Sequence, residues 1–287
     1  MKKSKLRIGF IGQGWVGKHY ADDFERRGFD VVRYSKEEPY AGARDKIKKC
    51  DVVFVAVPTP TTPDGFDSSI VSNVLKHVGN GKIAVIKSSL IPGTTEKLQR
   101  KYPGIYIVHS PEFLRERSAA EDAASPQRNI IGIPRVSKKY FDVANKVMSV
   151  LPKAPFEIVC GSSEAELIKY AGNCFLYTKV VYANILYNLV NVLDLSWEKV
   201  RDAVAADSRI GHSHLEPLHG TGRGAGGNCF IKDFAAFTDF YHKTAGDKTG
   251  HEALLKLEKK NIELLNESGK DSHLLQLVYG QKKSKKK

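Results

Sequence analysis

Short apolar runs alternate with amphipathic stretches over the first half of the chain. Residues 6–11, 30–34, 82–87 and 106–109 read as strands. Residues 51–57 (DVVFVAV) form a continuous apolar run, the pattern of a strand buried on both faces. Between these, residues 18–27, 43–49, 68–77 and 94–102 carry apolar positions at helical spacing. Gly28 stops the first of those helices, and Pro58 and Pro60 break the run at 51–57. Strands alternating with helices predict a doubly wound, mostly parallel α/β sheet.

The pattern changes after about residue 158. Residues 163–195 keep apolar positions at helical spacing over many turns without an internal proline. Such a helix is well beyond the usual ~11–12 residues and suits the spine of a second domain. Its apolar face exceeds what one small domain covers, so it predicts a homodimer through that helix. Residues 197–206 extend the helical pattern, 210–228 form a loop rich in Gly and His, and 232–243 and 251–267 read as further helices. The expected division is 1–158 for a dinucleotide domain, 159–280 for an all-α domain and 281–287 for a basic, disordered tail.

Composition narrows the function classes. The chain has 287 residues and 41% hydrophobic content, enough for a sizeable core. No apolar run approaches the ~20 residues of a membrane span; the longest, 180–193, is interrupted by Asn184, Asn188 and Asn191. The basic N-terminus leads into an apolar segment with no cleavage-like site, which argues against a secretory signal. The net charge of +13 looks like a nucleic-acid signal, but Lys2, Lys3, Lys5, Arg7, Lys282, Lys283, Lys285, Lys286 and Lys287 account for nine, leaving +4 for residues 8–280. Neither a nucleic acid nor a membrane is therefore expected as partner. Cys50, Cys160, Cys174 and Cys229 form no CxxC pair and no zinc spacing. No metal is expected, and a reducing, cytoplasmic compartment is the simple inference.

Two segments carry the candidate chemistry. GQGWVG, Gly12 to Gly17, follows a strand and opens a helix at the start of the βαβ array. Gly12 permits the tight turn, Gly14 lets the backbone approach a pyrophosphate, and Gly17 packs the helix on the strand. The acid that usually holds the adenosine ribose is missing: Ser35 and Lys36 stand near its place, which leaves both NAD and NADP open. At the other end, GAGGNCFIKD places Cys229 after glycines and where a helix begins, with Lys232 and Asp233 behind it. Helix amides and a nearby lysine make thiolate available. Between these lie VPTPT (57–61), IKSSLIPGTT (86–95) and SPEFLRE (110–116), each at the carboxyl end of a strand, where ligand loops gather. Glu112 and Glu116 are four apart and would share a helix face. Lys169 and Asn173 are also four apart, in EAELIKYAGNC, and Lys169 suits either oxyanion stabilisation or a snorkelling surface role.

Taken together and in order, these motifs resemble the UDP-glucose/GDP-mannose 6-dehydrogenase family. The resemblance implies four-electron oxidation of a nucleotide-sugar C6 alcohol, UDP-glucose first among candidates, to a carboxylate with NAD. It makes Cys229 the nucleophile that forms a thiohemiacetal and then a thioester. Lys169 would stabilise the oxyanion, Asn173 position substrate, and Asp233 assist proton transfer. Glu112 and Glu116 would orient water and contact substrate and cofactor, and Ser89 stands where the family usually has Thr. Cofactor contacts are implied at Gly12, Gln13, Gly14, Trp15, Val16, Gly17, Ser35, Val57, Pro58, Thr59, Ser89, Glu116 and Lys232. Substrate contacts are implied at Glu112, Phe113, Leu114, Arg115, Lys169, Asn173, Gly222 and Gly226. The chain departs from the family at Ala225 (usually aromatic), Asn228 (usually Ser), Ile231 (often Pro) and Ser35, and is expected to lack the family's C-terminal nucleotide-binding domain. A two-electron hydroxyacid dehydrogenase of the 6-phosphogluconate or 3-hydroxyisobutyrate type is the alternative, against which Cys229 argues. A non-catalytic nucleotide- or sugar-binding remnant is the other.

Overall fold

A computed structural model describes residues 6–280 apart from Thr221. The basic ends, including the tail 281–287 expected to be disordered, lie outside the described residues. In chain order the elements are β1 (Arg7–Ile11), α1 (Trp15–Arg26), β2 (Asp30–Tyr34), α2 (Arg44–Ile47), β3 (Val52–Val55), β4 (Thr61–Thr62), β5 (Gly65–Phe66), α3 (Ser69–Leu75), β6 (Ile83–Ile86), α4 (Thr94–Lys101) and β7 (Tyr106–His109). There follow α5 (Ala119–Ala124), β8 (Arg128–Ile133), α6 (Lys138–Met148), β9 (Phe156–Gly161), α7 (Ser162–Val192), α8 (Trp197–Ala205), β10 (Leu218–His219), β11 (Gly222–Arg223), α9 (Gly227–Ala245), α10 (Lys248–Glu267) and α11 (Ser272–Tyr279).

The chain divides into two compact units, one of residues 1–59 and 67–169, the other of residues 60–66 and 170–287. The division by contacts falls inside α7, and it assigns the β4–β5 hairpin to the second unit.

In the first unit one seven-stranded sheet runs in the order β2-β1-β3-β6-β7-β8-β9. Every ladder is parallel except β7–β8, which is antiparallel and pairs only His109 with Gly132. The sheet is therefore mixed, with a parallel block β2-β1-β3-β6-β7 on which the candidate loops sit. Its central strands are apolar at successive positions because both faces are covered: Val52, Val53, Phe54 and Val55 are all fully buried. Phe10 stacks on Phe54 at 5.0 Å, and Phe24 of α1 leans edge-on against Phe10. The strand order reverses between β1 and β3, the switch point where ligands bind in open α/β sheets.

The second unit is helical, with the two-residue-strand hairpins β4–β5 and β10–β11 as additions to the expected all-α build. Its helices close over Tyr177, which stacks on Phe234 at 3.9 Å. A separate cluster joins Ala183 and Val190 of α7 to Trp197 and Ala205 of α8. Two of the three asparagines that interrupt the apolar run at 180–193 are tied to one arginine. Asn184 and Asn188 accept hydrogen bonds from the Arg223 guanidinium at 2.9 and 2.7 Å.

Candidate active site

In the first unit the glycine turn leaves β1 and enters α1. Gly12 has φ +93°, and a Cβ there would lie 2.1 Å from the Ala56 carbonyl oxygen. A Cβ on Gly17 would lie 1.9 Å from the Gly12 oxygen, so the turn is closed by contacts only glycine permits. Gly14 differs: a Cβ there would meet nothing within 4 Å. Packing does not demand that glycine; the open space beside it suits a ligand pressed against the backbone. Gly14 caps α1 without a side-chain bond, and the first helical turn, Trp15, Val16 and Gly17, holds no acid. Free amides and an unopposed helix dipole are what a pyrophosphate needs. The residues present therefore fit a dinucleotide.

Other predicted cofactor positions fall on the same edge of the sheet. Val57 and Thr59 follow β3, and the Ser88 hydroxyl accepts from Val57 N at 3.0 Å and donates to Val57 O at 2.6 Å. Ser88, beside the predicted Ser89, is thus the residue that fixes this loop. Ser35 follows β2 directly, and its hydroxyl is turned onto Glu37, donating to the carbonyl at 2.7 Å. Arg33 pairs with Asp22 and Glu25 at 2.6 and 2.7 Å, so its charge is already matched by two carboxylates. Gln13 donates to the Gly12 carbonyl at 3.0 Å.

The loop after β7 corrects one expectation. Residues 111–115 have no regular structure and Glu116 opens a single 3-10 turn, so Glu112 and Glu116 do not share a helix face. The proline-containing segment stays extended where a helix needed continuous turns. Glu116 is exposed, whereas Glu112 is buried and held from both sides. Its carboxylate accepts from Lys169 Nζ at 2.7 Å and from Leu114 N at 2.9 Å, and Lys169 also donates to the Glu112 carbonyl at 2.8 Å. Lys169 is 5% exposed, which settles the choice between a buried cation and a snorkelling one. Phe113 lies under the Arg128 guanidinium at 3.8 Å, and Arg115 is tied to Asp122 at 2.6 Å on the surface.

Sequence reasoning missed a second buried cation. Lys87, in the quoted IKSS, is 4% exposed, donates to Ser110 Oγ at 3.1 Å and sits 4.4 Å above the Tyr20 ring. Burial pulls its pKa down to about 7, against the pull of Glu112 and helped by the charge on Lys169. His109, wholly buried beside these two lysines, is pushed down to about 3, chiefly by burial. One carboxylate and two amines are thus buried within reach of one another in the first unit, where electrostatic effects are large.

In the second unit the relevant groups gather at the start of α9. Gly226 is the N-cap, Gly227 (φ +79°) the first helical residue and Cys229 the third. Cys229 is exposed, whereas Cys50 and Cys174 are buried. Burial pushes the thiols of Cys50 and Cys160 up to about 11, and that of Cys174 higher still. Asp233, one turn on, is 1% exposed. It accepts from Asn173 Nδ2 at 2.6 Å on one oxygen and from the Lys232 ammonium on the other. Lys232 is therefore ion-paired to the neighbouring acid. Gly222 pairs with His219 across the β10–β11 hairpin.

Residues 40–149 match the model for the UDP-glucose/GDP-mannose dehydrogenase family, NAD binding domain, and residues 163–260 match the model for its central domain. The chain belongs to the UDP-glucose/GDP-mannose dehydrogenase family. Its first unit is accordingly an NAD-binding domain, although the glycine turn itself lies ahead of the matched span. The chain is 32% identical to UDP-glucose 6-dehydrogenase AglM of Haloferax volcanii over 80% of its own length, and spans only 64% of that protein. It resembles the structure of a UDP-glucose dehydrogenase from Pyrobaculum islandicum with a TM-score of 0.75 at 29% identity, covering 90% of this chain and 69% of that one. A 3-hydroxyisobutyrate dehydrogenase of Mycobacterium tuberculosis shares the fold, with a TM-score of 0.71 at 15% identity and coverage of 92% and 94%. No helix among the described residues is long and apolar enough to cross a membrane.

Proposed function

We propose that this chain is a nucleotide-sugar 6-dehydrogenase that oxidises the C6 alcohol of a UDP-sugar, UDP-glucose first, to the carboxylate through a thioester on Cys229. The observation that carries the reading is the setting of Cys229. It is an exposed thiol in the first turn of a helix behind a glycine loop, with the Asn173–Asp233–Lys232 array one turn below. NAD, when bound, supplies a hydride acceptor. Lys169, held by Glu112, presents a positive charge for the alkoxide that forms as the alcohol loses its proton. Cys229 sulfur adds to the aldehyde carbon, forming a C–S bond and a hemithioacetal whose hydroxyl proton passes to a carboxylate. After the second two-electron loss, water displaces the sulfur, giving the carboxylate and returning the thiol. Glu112 and Asp233 are the buried carboxylates available for those proton transfers. NAD is preferred to NADP because Arg33 is committed to Asp22 and Glu25. We place the reaction in the cytoplasm, supplying a sugar acid for polysaccharide assembly.

We also propose a homodimer through α7. Phe175, Tyr182 and Leu189 recur every seven residues, flanked by Ile185 and Val192, and all five are exposed. An apolar stripe of that length on one helix suits pairing with a second copy.

The test is Cys229→Ser incubated with UDP-glucose and NAD, followed by mass spectrometry and NADH absorbance. The serine variant should bind cofactor and either stall with covalent product or turn over very slowly, because an oxygen ester is a poorer acyl carrier. Release of two NADH per sugar at the normal rate would sink the thiol mechanism. One NADH per substrate in the unsubstituted protein would point to a two-electron hydroxyacid dehydrogenase. Tight sugar binding without NADH would point to a binding remnant.

A further inference from the structure

The loop before Cys229 has little stiffness of its own. Gly224, Gly226 and Gly227 surround the single Cβ-bearing residue Ala225, and two of the glycines take positive φ, +89° and +79°. Ordering three glycines costs more chain entropy than ordering any other three residues. Something outside the loop must hold it, because Ala225 is 1% exposed and its buried peptide groups need partners.

The partner is the side chain of Asn261 on α10, itself 1% exposed. Asn261 Oδ1 accepts from Ala225 N at 2.7 Å, and Asn261 Nδ2 donates to Ala225 O at 2.9 Å. The carboxamide thus imitates a neighbouring strand, taking both backbone groups of one residue. Three more side chains from the same region engage the flanking positions. Ser268 Oγ accepts from Arg223 N at 3.0 Å, Lys270 Nζ donates to Gly224 O at 3.2 Å, and Asp271 Oδ2 accepts from Gly227 N at 2.7 Å. The fit is close: a Cβ on Gly224 would lie 3.0 Å from Asn261 Oδ1, and one on Gly226 would lie 2.2 Å from Asp271 Oδ2. Of the four, Asn261 alone is buried and makes two bonds to the loop.

We propose that Asn261 is a positioning residue for the Cys229 thiol. It clamps the Ala225 peptide, so that the first turn of α9 keeps one orientation and its amides stay aligned beside the sulfur. Asn261 does not itself take part in the chemistry. The inference rests on the reading of Cys229 as nucleophile, but its test does not depend on the dehydrogenase reaction.

The experiment measures alkylation of Cys229 by iodoacetamide across pH 6–10 in the full chain, with the labelled residue assigned by mass and Cys229→Ser as blank. Asn261→Ala should raise the midpoint of the rate profile by about half to one pH unit, through loss of aligned helix amides. Labelling at pH 7 should slow about three- to tenfold, while the high-pH plateau stays within about twofold. Val190→Ala, which empties part of the core shared by α7 and α8, controls for general destabilisation of the second unit and should leave the midpoint in place. Asn261→Asp keeps the acceptor for Ala225 N but sets an oxygen against Ala225 O, and should resemble Asn261→Ala. An unmoved midpoint in folded Asn261→Ala, or an equal shift in Val190→Ala, overturns the proposal. Should neither Asn261 variant fold, hydrogen exchange in the unsubstituted protein decides. The Ala225 amide should be protected as strongly as the α10 core, and fast exchange there overturns the clamp. If the thiol mechanism fails while the midpoint shift appears, positioning stands and the dehydrogenase reading falls.

Discussion

Glu166 is the most exacting point at which to test the packing described above. α4 begins after Gly93, which has φ +88° and no side chain to cap the helix. Glu166 of α7 does so from another element. Its carboxylate accepts from Gly93 N at 2.7 Å, Thr95 N at 2.7 Å and Thr95 Oγ at 2.6 Å. Both Glu166 and Thr95 are fully buried, so water cannot replace a lost acceptor. Glu166→Ala leaves two buried donors of Thr95 unpaired, at about 1–3 kcal/mol each, and also frees the half-buried Gly93 amide. Relief of carboxylate burial offsets part of this, since burial pushes the Glu166 pKa up to about 7 although the three donors pull it down. The expected net loss is about 3–4 kcal/mol, or roughly 6–16 °C in the melting of the first unit. Glu166→Gln keeps the Thr95 bonds but turns an NH2 towards Gly93 N–H, and should cost only about 1–2 kcal/mol near pH 6.

The pH dependence has a definite sign. The folded pKa lies above the unfolded value of 4.5, so this group's contribution is complete below pH 4.5 and lost as pH rises through about 7. The penalty of Glu166→Gln should therefore shrink between pH 5 and pH 8. Urea titrations followed by circular dichroism at several pH values supply the measurement. A Glu166→Ala variant within about 1 kcal/mol of the unsubstituted protein, or a glutamine penalty that grows with pH, would refute the reasoning.

Three further outcomes are expected. Lys87 has a folded pKa of about 7 against 10.5 unfolded, so the unfolded chain binds more protons between those values and stability from this group rises with pH across that window. Lys87→Met should flatten the rise, as urea titrations at pH 7 and 9.5 will show. Ser35→Asp should tilt binding towards NAD over NADP by about tenfold, or ~1.4 kcal/mol, in fluorescence titrations, because a carboxylate repels a 2′-phosphate. If the proposed pairing through α7 holds, the unsubstituted chain should sediment as a dimer at micromolar concentration and Tyr182→Glu with Leu189→Glu as a monomer; a monomeric unsubstituted chain would dispose of the pairing.

The sequence was most legible where one local rule decides the structure. The short run DVVFVAV, closed by prolines, reads as a strand covered on both sides, and β3 within it is one. The glycine turn is legible for the same reason, since Gly12 and Gly17 are fixed by contacts within a few residues and one neighbouring strand. The long helix was expected at 163–195 and observed at Ser162–Val192. The strands β8 and β9 with α6 between them drew no expectation. The β4–β5 hairpin is two residues per strand and has too little periodicity to read. The Glu112–Glu116 spacing misled because i,i+4 arithmetic presumes a helix that the extended segment after Pro111 does not form. Asn261, Glu166 and Lys87 escaped because each acts on a partner distant in sequence. Asn261 lies 36 positions from Ala225, and Glu166 lies 71 from Thr95. Nothing local marks such a residue.

The seven residues 60–66 belong to the second unit, yet the chain on either side belongs to the first. The helices that β4 and β5 pack against, α9 and α11, begin at Gly227 and Ser272. During synthesis the hairpin therefore leaves the ribosome more than 150 residues ahead of its packing partners, about ten to thirty seconds at ordinary elongation speeds. Throughout that interval the first unit can assemble only with this segment looped out and waiting. Expression of either unit as a continuous fragment would strand it: a piece ending at residue 169 carries a hairpin with no home, and a piece beginning at 170 lacks part of its wall. The chain crosses between the units three times, so no single proteolytic cut yields the second unit with all of its residues.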